Sequence, residues 1–336
     1  MLARHPEVFT LPETAFFQRL LGDINHRLLG DVHHRPDDAD AKSCWRTLER
    51  RLGFTSSIGR REFVMLRQTL LGTEHTRTRV PWSVDTCINR VIAMLDGLAE
   101  RAGRSAWIEK TPHHLLYLSE IEHYLPDARV LHVIRPGIDV LASINDAYFR
   151  YEIEAFSGSL MQWVRRWNRA VEIHRSRIGA KNHHFVFLEN LIHNQAEEWR
   201  RLCEFLGLSN DVALDDSCQQ NIADLKFEPW KHGALSGLPQ QIDSKAENLF
   251  GPQLREWLRE RLSSYEELYA AINRTYDIER SFRPPASVSG LRSAELTAID
   301  MGTLRAATPA RHESETAINE HGCEHAARSR NRPSLG

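Results

Sequence analysis

The clearest periodicity in the chain runs from Ser83 to Ala102, where Val84, Ile88, Val91, Ile92, Leu95, Leu98 and Ala99 recur at intervals of three and four. That spacing predicts a helix with one buried face. Thr111-Pro112 reads as an N-cap followed by proline at the first helical position. The helix it opens carries Leu115, Leu118, Ile121 and Leu125 inward and stops before Pro126. Arg129 to Ile134 is a short apolar run, predicted as a strand, which Arg135-Pro136-Gly137 breaks. Helices are predicted over about 138–148 and 160–178, the second with Val164, Trp167 and Val171 on its buried face. His184 to Leu188 is the next strand. Trp199, Leu202, Cys203 and Leu206 have helical spacing, with Gly207 as the residue that ends the helix. A long helix is predicted over 252–276, with Leu254, Trp257, Leu258, Leu262, Tyr265, Tyr269 and Ile272 aligned. Strands alternating with helices at this spacing predict an α/β fold of three layers, a central parallel sheet covered by helices on both faces.

Residues 1–80 show no comparable pattern, and His33 to Asp38 is a loop by composition. After about Arg280 large apolar residues become scarce among Ser, Pro, Arg, Ala and Glu, so 281–336 is expected to be a mostly disordered tail. One domain over 1–280 remains. The formal net charge of −2 gives no overall field that would draw nucleic acid or an anionic membrane, although a local basic pocket is compatible with it. Cys44, Cys87, Cys203, Cys218 and Cys323 are scattered, odd in number and never in a C-x-x-C pair, which argues against a disulfide framework or a zinc knuckle. His321, Cys323, Glu324 and His325 are metal-ligand types, but they fall in the tail and no metal is expected there. No apolar run approaches the roughly 20 residues of a membrane span, and the first residues have no apolar signal core. With Met1 as the true start, a cytoplasmic protein of a reducing compartment is expected.

The chemistry concentrates between Trp107 and Ser143. A strand ending at Arg135 places a guanidinium at the carboxyl edge of the sheet, where open α/β folds bind ligands. Ser143 follows eight residues later, about two turns into the next helix, so the two side chains can converge on one phosphate. Lys110 ends another apolar segment just before a helix N-terminus, a second place that favours anions.

This block resembles the sulfotransferases that use 3′-phosphoadenosine 5′-phosphosulfate (PAPS), in their bacterial-type branch. Arg135 with Ser143 looks like the family's 3′-phosphate site, and Glu109-Lys110-Thr111-Pro112 like the segment whose lysine contacts the sulfuryl end. Leu125-Pro126-Asp127-Ala128-Arg129 before the strand is similar to the family pattern. So is Phe187-Leu188-Glu189-Asn190-Leu191, with Leu for the family's Tyr and Asn for its Asp, followed by Phe205-Leu206-Gly207-Leu208. Glu228-Pro229-Trp230-Lys231 resembles the loop that closes over the nucleotide. Ala3 to Val8 with Leu11 to Phe17 resembles the segment just after the phosphate loop, so the likeness covers residues 2 to about 276.

The resemblance implies a P-loop-like fold and sulfuryl transfer from PAPS to a hydroxyl or amine, without a metal. It implies Lys110 on the transferring group and Glu13 as proton acceptor, with His113 or His114 as alternatives. Arg135 and Ser143 would hold the 3′-phosphate, and Trp230 and Lys231 would cover the nucleotide. The family's Gly-rich 5′-phosphosulfate loop has no counterpart after Met1. Ser56 to Arg61 has the right residue types without a preceding strand, so the loop and the first, central strand are expected to be missing and Met1 to be an internal methionine. Two other classes stay open: a non-catalytic or degenerate nucleotide-binding relative, and a nucleotide-dependent phosphotransferase of the same fold. The acceptor, whether lipid, carbohydrate, tyrosyl peptide or small molecule, is not legible. Residues 20–80 are the variable stretch expected to line its pocket. Oligomeric state is equally open.

Overall fold

Alternate residues of a strand face opposite sides of a sheet, and here each side meets a different cluster of helices. The computed structural model describes residues 1–22, 27, 52–72, 79–153, 156–212, 244–282 and 302–306. Its strands are β1 (Val8–Thr10), β2 (Ala106–Glu109), β3 (Arg129–Ile134), β4 (His183–Phe187) and β5 (Gly302–Ala306), in the spatial order β1-β2-β5-β3-β4. Trp107 and Val130 pack on one face with Phe16, Phe17, Phe63 and the apolar stripe of the helix Val84–Arg101. Ala106, Leu131 and Val186 pack on the other with Leu202, Cys203 and Leu206. This is the mixed α/β architecture the alternating pattern predicts, mostly helical, with short parallel pairs β1–β2 and β3–β4.

The helices are α1 (Phe16–Leu21), α2 (Ser57–Leu71), α3 (Val84–Arg101), a 3-10 helix (Pro112–Tyr117) running into α4 (Leu118–Tyr124), α5 (Gly137–Tyr151), α6 (Leu160–Ser176), α7 (Leu188–His193), α8 (Gln195–Leu206), α9 (Lys245–Leu249), α10 (Pro252–Arg259) and α11 (Tyr265–Phe282). Ser83 caps α3 through Thr86 N–H, and Gly207 ends α8 in the left-handed region at φ 65°. The expected helix over 252–276 is instead two. Serine chemistry makes the break: Ser264 Oγ accepts from Glu267 N–H at 3.1 Å, while Ser263 donates its N–H to Asn168 Oδ1 at 2.7 Å and accepts from Trp167 Nε1–H at 3.2 Å. Ser56, at the start of the stretch with phosphate-loop residue types, caps α2 through Gly59 N–H.

The central position of the sheet is held by β5, which runs antiparallel to β2 and β3. Beyond Phe282 these five residues are the described part of the expected tail. β5 pairs with β3 at Arg129, Val130 and Leu131, so the carboxyl half of β3 projects past it. β1 leads into α1 through Leu11-Pro12-Glu13-Thr14-Ala15, which contains no glycine.

Beneath the carboxyl half of β3 lies a chain of histidines. His132 is fully buried, with Nε2 2.8 Å from His183 Nδ1 and Nδ1 3.0 Å from His174 Nδ1. His183 Nε2 faces Glu122 Oε1 at 3.2 Å. A carboxylate only accepts, so His183 donates from Nε2 and its Nδ1 accepts from His132, whose Nδ1 in turn accepts from His174. That order requires neutral rings at His132 and His183, which accept at Nδ1, and burial sets the same preference in all three. Burial lowers them, to about 3 for His174, about 4 for His183 and well below the ordinary value for His132. His184, next along β4, is likewise lowered by burial to about 4.

Candidate functional site

The strand β2 ends on a fully buried carboxylate, Glu109, around which the site is assembled. Its Oε1 accepts from Thr14 N–H at 2.9 Å, Thr14 Oγ1 at 2.8 Å and Thr111 Oγ1 at 2.6 Å. His114 Nδ1 approaches Oε2 to 2.7 Å, within ion-pair distance but off the axis of an ideal hydrogen bond. Burial pushes the Glu109 carboxyl up. The close approach of His114, with the bonds from Thr111 and Thr14, outweighs burial and holds it at about 2. Glu109 thus ties the 13–15 segment to the start of the 3-10 helix. The tie extends through Thr111 Oγ1, which accepts from Ala15 N–H at 3.1 Å. Thr111 therefore makes no cap bond to the helix it precedes, contrary to the sequence expectation, because its hydroxyl is taken by the buried carboxylate. Ala15 sits in the left-handed region at φ 51°, so the turn that presents Glu13 is strained for a non-glycine residue.

On the outer side of this tie Lys110 Nζ and Glu13 Oε1 form an ion pair. Both side chains are about one-third exposed, at 36% and 30%, so the pair is open to a ligand. His113 lies beside it, partly buried. Burial, then the Arg166 cation and His114, lower its pKa, and Glu13 opposes them. The structure thus brings Glu13, Lys110 and His113 together. His114 is turned the other way: it has no exposed surface, and the edges of its ring contacts meet Phe16 and Phe17 at 5.4 and 5.5 Å. It has no path to an acceptor and acts on the site through Glu109.

Arg135 follows the last residue of β3, and Ser143 lies in the second turn of α5, both partly exposed. The start of α5 is fixed by close packing. A Cβ on Gly137 would come within 2.5 Å of Trp167 on α6, so only glycine lets the helix approach that indole. Further along, Asp139 Oδ1 accepts from Ser244 Oγ at 2.8 Å and Asp146 pairs with Lys245 at 2.8 Å, holding α5 against α9. With β5 between them, β2 and β3 lie about 10 Å apart, two strand spacings. Through β5, Glu109 is level with Val130, so Lys110 and Arg135 both lie toward the carboxyl side of the sheet, with Arg135 about 13 Å further along the strand direction. Trp230 and Lys231 lie outside the described residues.

Sequence reasoning missed Arg166 on α6. Its guanidinium lies 4.3 Å from the ring centre of Trp163, its Nε is buried, and its charge reaches His113. The missing signal is a partner: an arginine with no acid against it among the described residues looks like any other in a sequence. Among the described residues no helix is long and apolar enough to cross a membrane, and no group of three or more His, Cys, Asp or Glu could hold a metal ion.

The model of the sulfotransferase family matches residues 1–211. Among solved structures, the sulfotransferase domain from the Synechococcus PCC 7002 olefin synthase is 16% identical, with 84% of this chain and 89% of that chain covered and a TM-score of 0.39. The sulfotransferase domain from the curacin biosynthetic pathway is 12% identical over 78% and 92% of the two chains, at a TM-score of 0.35. Mouse sulfotransferase SULT7A1 complexed with PAP is 14% identical over 48% and 63%, at 0.27. None of the curated proteins compared with it matches.

Proposed function

Because the chain belongs to the sulfotransferase family, we propose that it transfers a sulfuryl group from PAPS to a hydroxyl or amine of a small-molecule, carbohydrate, lipid or peptide acceptor. The observation that carries this reading is the Lys110–Glu13 pair, open at the carboxyl end of β2, with Arg135 two strands away at the end of β3. A cation next to a carboxylate is what the chemistry needs. The cation stabilises charge on the transferring group and its leaving phosphate, and the carboxylate takes the acceptor proton.

Bound PAPS would supply the sulfuryl group, whose in-line transfer resembles phosphoryl transfer in being mostly positioning and charge stabilisation. The residues present fit its 3′-phosphate. Arg135 offers a fork of charged donors and Ser143 a neutral one, and the two flank the N-terminal turn of the 15-residue helix α5. Glu13, ionised in its pair with Lys110, is the base form and accepts the proton as the acceptor oxygen or nitrogen attacks. His113 is the alternative acceptor of that proton, since burial and Arg166 favour its neutral ring. Trp230 and Lys231 would close over the nucleotide.

Calorimetry with adenosine 3′,5′-bisphosphate tests the reading. Binding by the chain that is lost in Arg135→Ala is the expected result. A chain that binds no adenosine 3′,5′-bisphosphate refutes it. With binding in hand, labelled PAPS and a metabolite extract would identify the acceptor.

A further inference from the structure

Arg165, Arg166 and Arg169 cluster in the second and third turns of α6, and their environments differ. Arg165 is exposed. Arg169 is paired with Glu172 at 2.9 Å. Arg166 is half-buried, spreads its guanidinium over Trp163 at 4.3 Å, keeps its Nε out of water and has no carboxylate against it among the described residues. An arginine that gives up part of its hydration without an acid to compensate is costly to keep. The cost is recovered when an anion arrives, because the planar fork is preorganised and the stacked indole holds it in place.

Its place in the fold says which anion. α6 packs against the 3-10 helix that starts just beyond Lys110. The next residue along, Trp167, lies under Gly137, the first residue after Arg135-Pro136. Arg166 thus sits on the helix that touches both places, and its charge reaches His113. We propose that Arg166, with His113 and Lys110, forms an oxyanion subsite that holds the 5′ end of the donor: the sulfuryl group before transfer and the 5′-phosphate after it. This rests on the sulfotransferase reading and deepens it. It adds side-chain donors at the 5′ end of the donor.

The test compares Arg166→Gln, Arg166→Lys and the neighbouring control Arg165→Gln with the unaltered chain, after checking that thermal midpoints agree. Two nucleotides are titrated, adenosine 3′,5′-bisphosphate and adenosine 3′-monophosphate, which differ only in the 5′-phosphate. Loss of one charge-assisted contact weakens binding by roughly tenfold or more. Arg166→Gln is expected to weaken the bisphosphate by that factor and leave the monophosphate unchanged. Arg166→Lys is expected to fall between, and Arg165→Gln to match the unaltered chain. Equal affinities of Arg166→Gln and the unaltered chain for the bisphosphate would overturn the subsite while leaving the family reading intact.

A second measurement does not depend on nucleotide binding. The His113 ring is followed by NMR during titration with inorganic sulfate. Bound sulfate should raise its pKa in the unaltered chain and not in Arg166→Gln. If neither nucleotide binds but this shift occurs, the oxyanion subsite stands and the donor reading falls. If sulfate leaves His113 unmoved in the unaltered chain, the subsite itself is refuted.

Discussion

Acid should unfold this protein earlier than its charge balance suggests, and the histidine chain beneath β3 sets the scale. Lowering the pH from about 7.5 to about 5.5 leaves an unfolded histidine roughly nine-tenths protonated, given an ordinary pKa near 6.5. His132, His174, His183 and His184 are held neutral when folded, all lowered by burial, with His174 at about 3 and His183 and His184 at about 4. The unfolded state therefore binds more protons than the folded one below pH about 6.5, and stability falls as pH falls. Each ring costs about 1.4 kcal/mol at pH 5.5, and the four together about 6 kcal/mol. That is comparable with the whole stability of an ordinary domain, about 5–15 kcal/mol. The assay is urea unfolding by circular dichroism at half-unit pH intervals. Near pH 5 the slope of stability against pH should approach about 1.4 kcal/mol per unit for each histidine. His184→Phe keeps a ring stacked on Phe205, at 5.0 Å in the parent, and should reduce the slope by one proton's worth. Equal stability at pH 7.5 and 5.5, or an unchanged slope in His184→Phe, would refute the assignment of neutral buried rings.

Three further outcomes follow from the site and its supports. Glu109→Gln replaces an acceptor of three donated hydrogen bonds and breaks its pair with His114, so denaturant unfolding should show a loss of about 3–5 kcal/mol. In the parent, stabilisation by Glu109 is fully present above pH about 4.5 and disappears as pH falls toward about 2. Gly137→Ala drives a methyl into Trp167 and should cost about 1–3 kcal/mol by thermal melting, with weaker adenosine 3′,5′-bisphosphate binding because Arg135 and α5 shift together. Ser264→Ala removes the hydroxyl that separates α10 from α11 and should lower stability by about 1 kcal/mol without changing nucleotide affinity.

Helices with a single periodic stripe were legible from sequence, as α3 and α8 show, because burial of one face is what both the pattern and the structure record. The division between α10 and α11 was not: Leu258, Leu262, Tyr265, Tyr269 and Ile272 keep helical spacing across it and share one core, so periodicity alone runs straight through. β1 is three residues long, too short for alternation to register. β5 is no easier, since Gly302-Thr303-Leu304-Arg305-Ala306 has little apolar content and its partners lie far away in sequence. At the site, Lys110, Glu13 and Arg135 could be named through a resemblance, but their geometry depends on Glu109. That buried acid, in a strand, reads in sequence as one more charged residue. Thr111 shows the same limit: its letter fits an N-cap, and a neighbouring carboxylate claimed the hydroxyl.

The antiparallel middle rung also constrains how the molecule is made. Among the described residues the pairs β1–β2 and β3–β4 are joined by ladder hydrogen bonds only through β5, which the ribosome delivers long after the others. A nascent chain can form each parallel pair and its helices, yet among the described residues the facing edges of β2 and β3 have no ladder partner until residues 302–306 emerge. Such edges invite pairing with another chain, and contacts this distant in sequence form slowly. Crowded polysomes translating this message are thus where misassembly would concentrate. Slowing synthesis would lengthen that exposure rather than relieve it.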